Sequence, residues 1–219
     1  MLVILTISVT PIEQNARVLI DRNLKNALVV DPGGDIDKIT ASIPDDVSVT
    51  HIFITHSHID HAGGTNQLLK ACAHQIKKPI IVAHKDDAIN RDMLELQSHL
   101  LHVPYTGCFE PTLLVNHNDY IHFGNYIFKS LHTPGHAVGH LAYFCDSIDN
   151  SFESPFLLAG DTLFKGSIGR TDLPGGNHST LINSINDHIF SLPPATVVCS
   201  GHGPNTTVSQ EKERNPFFN

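Results

Sequence analysis

The sequence has no block of five or more basic residues and no apolar run long enough to cross a membrane. Its 14 Lys and Arg residues are outnumbered by 22 Asp and Glu residues, which gives a formal net charge of −8. We therefore expect neither a general nucleic-acid-binding surface nor a membrane-spanning segment. The apolar residues 1–7 lack a basic flank and a cleavage site, so they indicate a first strand rather than a signal peptide.

Cysteine pairs are absent as well. The four cysteines are widely spaced and form no CxxC motif, namely Cys72, Cys108, Cys145 and Cys199. This spacing is typical of reduced, mostly buried thiols, so we expect a cytoplasmic protein. The chain also has no internal repeat, low-complexity stretch or clear linker, which favours a single domain spanning residues 1–219. Nothing in the sequence indicates an oligomeric state.

Short apolar segments alternate with segments of helical periodicity along the chain. The apolar segments are rich in β-branched and aromatic residues, which predicts buried strands at 27–31, 51–55, 79–83, 126–131, 141–145, 155–159 and 195–199. Helices are predicted at 66–76, 85–101 and 179–189, the last with Asn177 or Ser179 as its N-cap. This pattern predicts a layered α/β protein with functional side chains on the loops that follow the strands.

Histidine is frequent, with 16 residues, and imidazole is the commonest metal-binding side chain. Four ligand-type residues lie within Thr55–His61, directly after a predicted strand. His56 and His58, two residues apart, can direct both imidazoles to one ion. Asp60 and His61 follow where the chain turns into a helix, so they can face a neighbouring ion. Because such a cluster rarely arises by chance, it predicts a metal site.

Three later loops each place a ligand-type residue beside glycine after a predicted strand, namely His136, Asp161 and His202. Each of these residues taken alone has an ordinary explanation, since a lone histidine is usually a surface or structural residue and Asp161 could cap a turn. Glycine beside the ligand permits unusual backbone angles and a close approach. Together with Thr55–His61, the three loops strengthen the prediction of a metal centre.

The order of the motifs resembles that of the metallo-β-lactamase superfamily. The motifs are THSHIDH at 55–61, TPGHAVGH at 133–140, GDTLF at 160–164 and GHGP at 201–204, and the resemblance begins at 31–34. Members of the superfamily fold as a four-layer αββα sandwich, with two sheets face to face and helices outside. They bind one or two metal ions at one edge. The resemblance implies this fold for the whole chain.

The resemblance also implies a ligand set. One ion would be bound by His56, His58 and His136, and a second by Asp60, His61 and His202, with Asp161 as the bridge. Asp31 would support a ligand from behind, and His140 would stabilise the site without binding an ion. Such ligands suit zinc, iron and manganese alike, so we expect two divalent ions, with zinc favoured and iron or manganese as alternatives.

Two adjacent cations lower the pKa of a bridging water from about 15.7 towards about 7 and polarise a carbonyl group. A metal-bound hydroxide would then be the nucleophile, and Asp60 and Asp161 would be the catalytic carboxylates that hold the ions and orient it. A thiol with a pKa near 8.5 leaves readily as thiolate, so a thioester is a suitable substrate.

A longer segment narrows the resemblance. Residues 160–172, together with Asn215–Phe217, resemble the short bacterial glyoxalase II subfamily, whose substrates are hydroxyacyl-glutathione thioesters such as S-lactoylglutathione. Asp161 agrees with this assignment, since true β-lactamases have a cysteine there or do not use the residue as a bridge. Only 15 residues follow Pro204, so we expect the C-terminal helical domain of longer glyoxalase II enzymes to be absent.

Three cations near the motif loops, Lys165, Arg170 and Arg214, are candidates for binding the carboxylates of a glutathione thioester. The alternative for each is ordinary solvated surface charge.

Other activities share these motifs. Persulfide dioxygenases, which use a single iron, share the fold and the Gly169–Asp172 element, but they usually lack a histidine at the position of His140. Lactonase or generic esterase activity would use the same two ions. A nuclease is disfavoured by the acidic balance, and a non-catalytic metal-binding protein by the complete ligand set. We therefore predict a thioester hydrolase acting on a small molecule, with the dioxygenase and the lactonase or esterase as alternatives.

Overall fold

The computed structural model describes residues 2–146 and 155–218. The chain divides into two compact units. The first unit comprises Met1–Ala83 with Ala88–Leu114, and the second comprises His84–Asp87 with Val115–Asn219. Each unit contains one six-stranded sheet.

The sheet of the first unit has its strands in chain order. The strands are β1 (Leu2–Val9), β2 (Gln14–Asp21), β3 (Asn26–Val30), β4 (Ser48–Phe53), β5 (Ile80–Ala83) and β6 (Leu113–Leu114). The first three pair antiparallel, and β3 to β6 pair parallel. The helices are α1 (Ile36–Ala41), α2 (Ile59–Ala62), α3 (Thr65–Ala71), α4 (Ala88–Asp92) and α5 (Leu94–Leu101).

The interior strands of this sheet are apolar for a physical reason. Parallel strands are covered on both faces, so they appear in sequence as continuous apolar runs, as Ala27–Val30 does. Residues of β2, β3 and β4 pack with Ile39 of α1 and Leu68 of α3 in one buried cluster. Because β3 and β4 are parallel, their carboxyl ends meet at one edge of the sheet, and this places Asp31 beside Thr55.

The sheet of the second unit has the order β14–β13–β10–β9–β8–β7. Its strands are β7 (Tyr120–Phe123), β8 (Tyr126–His132), β9 (Leu141–Cys145), β10 (Phe156–Gly160), β13 (Val197–Ser200) and β14 (Thr206–Thr207). A separate hairpin consists of β11 (Leu163–Phe164) and β12 (Ser167–Ile168). Helix α6 (His178–Ser184) continues into a π-helical turn at Ile185–Ile189, and α7 is Val208–Arg214. Leu131, Leu157, Leu181 and Ile185 contribute to the buried core of this unit.

Most predicted elements are confirmed, and the α/β fold class with them. The predicted helix at 85–101 is wrong in one respect, because it is broken into a 3-10 turn at Lys85–Asp87, α4 and α5. The predicted N-cap of α6 is Asn177, whose side chain accepts a hydrogen bond from the backbone of Thr180. The strands β2, β6, β7, β11, β12 and β14 were not predicted.

All four cysteines lie in the described ranges, where none forms a disulfide, and three of them are buried. Within residues 2–146 and 155–218, no helix combines the length and the apolar character needed to cross a membrane.

Candidate metal centre

The first unit brings together the four ligand-type residues of Thr55–His61. Their side chains are buried, and His58 is the most exposed of them at 9%. The Nε2 atom of His56 lies 2.9 Å from Nδ1 of His58. Nε2 of His61 lies 3.5 Å from a carboxylate oxygen of Asp60. Since zinc–nitrogen bonds are about 2.0–2.1 Å long, the two nitrogens of His56 and His58 are close enough to bind the same ion.

Asp31 fixes the orientation of His61. A carboxylate oxygen of Asp31 lies 2.9 Å from Nδ1 of His61. Because an ionised carboxylate only accepts hydrogen bonds, Nδ1 carries the proton and the lone pair is on Nε2, which faces Asp60. The amide of Gln14 lies 3.5 Å from the same Nδ1, which is the longer of the two contacts.

The backbone places Asp31 for this role. Asp31 has a left-handed backbone angle, with φ of 51°, and its two oxygens accept hydrogen bonds from the backbone N–H of Thr55 at 2.7 Å and from its hydroxyl at 2.6 Å. Gly33 then passes against the ligand loop so closely that a Cβ atom there would lie 1.3 Å from the carbonyl oxygen of Asp60. Only glycine fits at this position, which explains the glycine at position 33.

The second unit brings together His136, Asp161 and His202. A carboxylate oxygen of Asp161 lies 3.7 Å from Nε2 of His136 and also 3.7 Å from Nε2 of His202. These separations are longer than hydrogen bonds, and each can be spanned by an ion that binds both atoms. Nδ1 of His136 lies 2.8 Å from the carbonyl oxygen of Arg170. Since a carbonyl only accepts, Nδ1 is protonated and Nε2 keeps the lone pair that a metal requires.

His140 uses its lone pair within the protein. The backbone N–H of Asp161 donates to Nε2 of His140 at 3.1 Å, so that nitrogen is the unprotonated acceptor. The proton is therefore on Nδ1, which lies 2.9 Å from the hydroxyl of Thr133 and 3.1 Å from that of Thr162. His140 is thus a buried neutral imidazole that anchors the loop of Asp161 and offers no lone pair to an ion.

Gly169 and Arg170, which follow the β11–β12 hairpin, pack against Asp161 and His136. A Cβ atom at Gly169 would lie 1.9 Å from the carbonyl oxygen of Asp161 and 3.2 Å from Cβ of His136. The next residue, Arg170, supplies the carbonyl that orients His136. The glycine at this position is therefore required by the close approach of two backbone segments.

The three predicted substrate-binding cations are exposed. Arg170 donates from Nε and Nη2 to the two carboxylate oxygens of Asp172, each at 2.7 Å. This ion pair lowers the pKa of Asp172 to about 2 and raises that of Arg170. Lys165 lies at the tip of the β11–β12 hairpin, and Arg214 is the last residue of α7.

Sequence reasoning missed the buried carboxylate of Glu211. One of its oxygens accepts from the backbone N–H of Gly166 at 2.8 Å and from the side-chain amide of Asn215 at 2.9 Å. Its other oxygen accepts from the hydroxyl of Thr206. These hydrogen bonds connect helix α7 to the β11–β12 hairpin, which carries Lys165. The spacing of Glu211 in α7 and of Asn215, which caps that helix four residues later, was the only local signal for part of this network.

The donor chemistry of both units fits a divalent transition metal. Five imidazoles and two carboxylates are available, and two of the imidazoles have their Nδ1 protons fixed by acceptors, which is the usual arrangement behind metal-binding histidines. Within each unit, the described histidine and aspartate side chains therefore form a cluster that could bind metal ions.

Comparisons with known proteins agree with these clusters. A family model described as the metallo-beta-lactamase superfamily matches residues 13–202. A similar protein from Haemophilus influenzae, hydroxyacylglutathione hydrolase GloC, is 33% identical over 215 residues, which are 97% of this chain and 96% of the relative.

Two solved structures are similar over nearly their whole length. BLEG-1 B3 metallo-beta-lactamase has a TM-score of 0.83 and 33% identity, with 99% of each chain covered. TTHA1623 in a di-iron-bound form has a TM-score of 0.81 and 30% identity, with 97% of this chain and 99% of that chain covered. The chain therefore belongs to the metallo-β-lactamase superfamily.

Proposed function

We propose that the protein is a two-metal hydrolase whose ions are bound by the ligand set that the family resemblance implies. The first ion would be bound by His56, His58 and His136, the second by Asp60, His61 and His202, and Asp161 would bridge them. The observation that carries this proposal is the position of Asp161, whose carboxylate oxygen is 3.7 Å from the Nε2 atoms of two different histidines. Residues 1–219 would then act as one hydrolase domain.

The bound ions would supply an activated water as the nucleophile and a Lewis acid for the scissile carbonyl. We favour zinc, and the di-iron form of the relative TTHA1623 supports iron as an alternative, with manganese a further one.

The chain's own contribution is the positioning of the ligands. Asp31 and the carbonyl of Arg170 keep His61 and His136 in the tautomer that offers Nε2. Nε2 of His140 accepts a hydrogen bond from the backbone N–H of Asp161 and thereby holds the backbone of Asp161 in place. Asp60 and Asp161 place two negative charges among the imidazoles, which favours cations and lets the carboxylates orient a water by accepting its protons in hydrogen bonds.

The substrate that we propose is a hydroxyacyl-glutathione thioester such as S-lactoylglutathione. Hydrolysis adds the elements of water across the C–S bond and yields a hydroxy acid and a free thiol. The likeness to the relative named hydroxyacylglutathione hydrolase GloC supports this class, as does the segment 160–172. Among the cations, Arg170 is the strongest candidate for a substrate carboxylate. Asp172 occupies the Nε–Nη2 edge of its guanidinium group and thereby orients the Nη1 edge. Lys165 and Arg214 are further candidates.

A β-lactam is the second candidate substrate, because the similar structure of BLEG-1 is that of a B3 metallo-beta-lactamase. Opening a β-lactam ring would use the same ions and the same activated water. Asp161 would favour the thioester, since the bridging role that we propose for it is not found at this position in true β-lactamases.

The test is a substrate panel on protein loaded separately with zinc, iron and manganese. S-lactoylglutathione, an unrelated thioester, a lactone and a cephalosporin are compared by kcat/KM, and oxygen uptake is followed with glutathione persulfide. We expect S-lactoylglutathione to be hydrolysed with the highest kcat/KM and without oxygen uptake. Equal turnover of the unrelated thioester would contradict the glutathione assignment, and oxygen uptake would contradict hydrolysis.

A further inference from the structure

Among the described residues, the two six-stranded sheets have four edge strands, which differ greatly in length. The edge strands β6 and β14 have two residues each, and β7 has four. The fourth edge strand, β1, has eight. Short edge strands protect a protein against pairing with another chain, because they expose few unpaired backbone groups. Three of the four edges have this protection, and β1 lacks it.

The described residues of β1 also lack the protective features that an edge strand can carry in its own sequence and register. Its sequence, LVILTISV, contains no charged residue and no proline. It pairs with β2 over all eight residues in an unbroken register, so no bulge twists the edge away. In an antiparallel pair, every second residue directs its N–H and C=O away from the partner strand. Among the described residues, no backbone–backbone hydrogen bond reaches these outward groups of β1.

The side chains of β1 are also incompletely covered by the rest of the first unit. Val3, Leu5 and Ile7 pack against the core of the first unit but are only partly buried. On the other face, Thr6 and Ser8 are exposed. A strand added beside β1 would cover the apolar row and satisfy the outward backbone groups in one step.

We propose that β1 is a self-association edge, where two copies of this chain pair their β1 strands antiparallel and join two six-stranded sheets into one of twelve strands. A second copy fits because β1 carries no charge, whereas the whole chain carries −8. The net charge makes two copies repel each other, and pairing along β1 brings no like charges of this strand together. A two-fold axis perpendicular to the sheet keeps each face on the same side. The apolar residues Val3, Leu5 and Ile7 therefore meet the same apolar row of the second chain.

This geometry restricts the register. Residues directly opposite each other must lie on the same face, so odd-numbered residues oppose odd-numbered ones and even oppose even. Ile4 and Ser8 therefore share one face of the joined sheet with their counterparts. Lysines at both positions place four positive charges on that face, whichever even residue they oppose, and like charges across a strand pair are destabilising.

The mass in solution tests the proposal, measured by light scattering during size-exclusion chromatography of the metal-loaded full chain. We expect the unchanged protein to have twice the chain mass of 24.0 kDa. The double variant Ile4→Lys/Ser8→Lys should run at the mass of one chain. The matched control Tyr120→Lys changes an exposed residue on the edge strand β7 and should remain a dimer.

A measurement without substitutions covers the case in which the double variant fails to fold. Hydrogen–deuterium exchange of the unchanged protein should show outward β1 amides that are at least tenfold more protected at high protein concentration than on dilution below the dimer range. The exchange rates of the amides of β7, which is a short edge strand, should not depend on protein concentration. A monomer at all concentrations, a double variant that is still a dimer, or β1 exchange independent of concentration would each overturn the proposal.

Discussion

Asp31 accepts three hydrogen bonds at the carboxyl end of β3, and they determine which nitrogen of His61 is available to a metal ion. One oxygen accepts from the backbone N–H of Thr55, and the other accepts from the Thr55 hydroxyl and from Nδ1 of His61. Asparagine has nearly the same shape but replaces one acceptor by an NH₂ donor. The Asp31→Asn substitution therefore tests the hydrogen-bond logic while it leaves the packing almost unchanged.

The hydrogen-bond partners of Asp31 determine the orientation of the side-chain amide that Asp31→Asn introduces. The amide oxygen must face the backbone N–H of Thr55, since an NH₂ group there would place two donors together. The NH₂ group then faces Nδ1 of His61, which must become the acceptor. The proton moves to Nε2, and the lone pair that a metal needs is lost.

Loss of such a supporting contact reduces metal affinity about 10- to 100-fold, or about 1.4 to 2.7 kcal/mol. Replacing a hydrogen bond to a charged acceptor costs stability of about 1.5 to 3 kcal/mol. Metal affinity is measured by competition with a chromophoric chelator, and the tautomer by ¹⁵N NMR of the imidazole. The matched control is Asp21→Asn, a buried carboxylate of the same unit that accepts only from the backbone of a turn. The reasoning is refuted if Asp31→Asn binds both ions as tightly as the unchanged protein, or if Nδ1 of His61 remains protonated.

Gly169→Ala places a Cβ atom 1.9 Å from the carbonyl oxygen of Asp161, so we expect a loss of about 1–3 kcal/mol in urea unfolding, and an unchanged midpoint would contradict the close approach. Burial, and then neighbouring histidines, lower the pKa values of His84 and His117 below their ordinary 6.5. Both residues thus stabilise the fold above about pH 6.5, and this stability is lost as the pH falls through their folded-state pKa values, so the urea midpoint should fall between about pH 7 and pH 5. His84→Gln and His117→Gln together should reduce that fall, and an identical pH profile would speak against their involvement. Arg170→Gln should raise KM for S-lactoylglutathione by about tenfold and leave KM for a thioester with a neutral thiol unchanged, and an equal effect on both substrates would argue against Arg170 as an anion-binding residue.

The parts of the structure that could be predicted depend on local sequence. The loop at Thr55–His61 was recognisable because four ligand-type residues follow one strand directly, and the local backbone alone brings them together. The buried strands β3, β8 and β9 were recognisable by their apolar runs. The N-cap of α6 was narrowed to two residues because a cap depends on side chains within one turn of the helix.

Other features depend on contacts between distant residues. The predicted helix at 85–101 breaks because Asp87 packs against Gly139, where a Cβ atom would lie 2.2 Å from the Asp87 nitrogen. Its residues 85–87 consequently belong to the second unit, and the helical residues from Ala88 onward belong to the first. The short strands β6 and β14 are defined by partners that are far away in sequence, since two residues carry no periodic signal.

The supporting contacts of the ligands are equally non-local. Arg170, whose carbonyl orients His136, lies 34 residues from it along the chain. Gly166, whose backbone N–H donates to Glu211, lies 45 residues from Glu211. Both contacts use backbone groups, a carbonyl in one and an N–H in the other, and nearly every residue type has these groups. Neither contact can therefore be inferred from composition or spacing. The protonation of His140 could be assigned only when its donor, the N–H of Asp161, was located.

The metal content of Asp161→Ala tests the central claim most directly. Elemental analysis after loading and desalting should find two ions per chain in the unchanged protein and in the control Asp37→Ala, which removes an exposed carboxylate of α1. Asp161→Ala should bind close to one ion per chain, because each ion would lose its bridge and the more weakly bound ion would dissociate. Two ions per chain in Asp161→Ala, with thioester hydrolysis unchanged, would contradict the bridging role of Asp161 and with it the two-metal centre proposed for this protein.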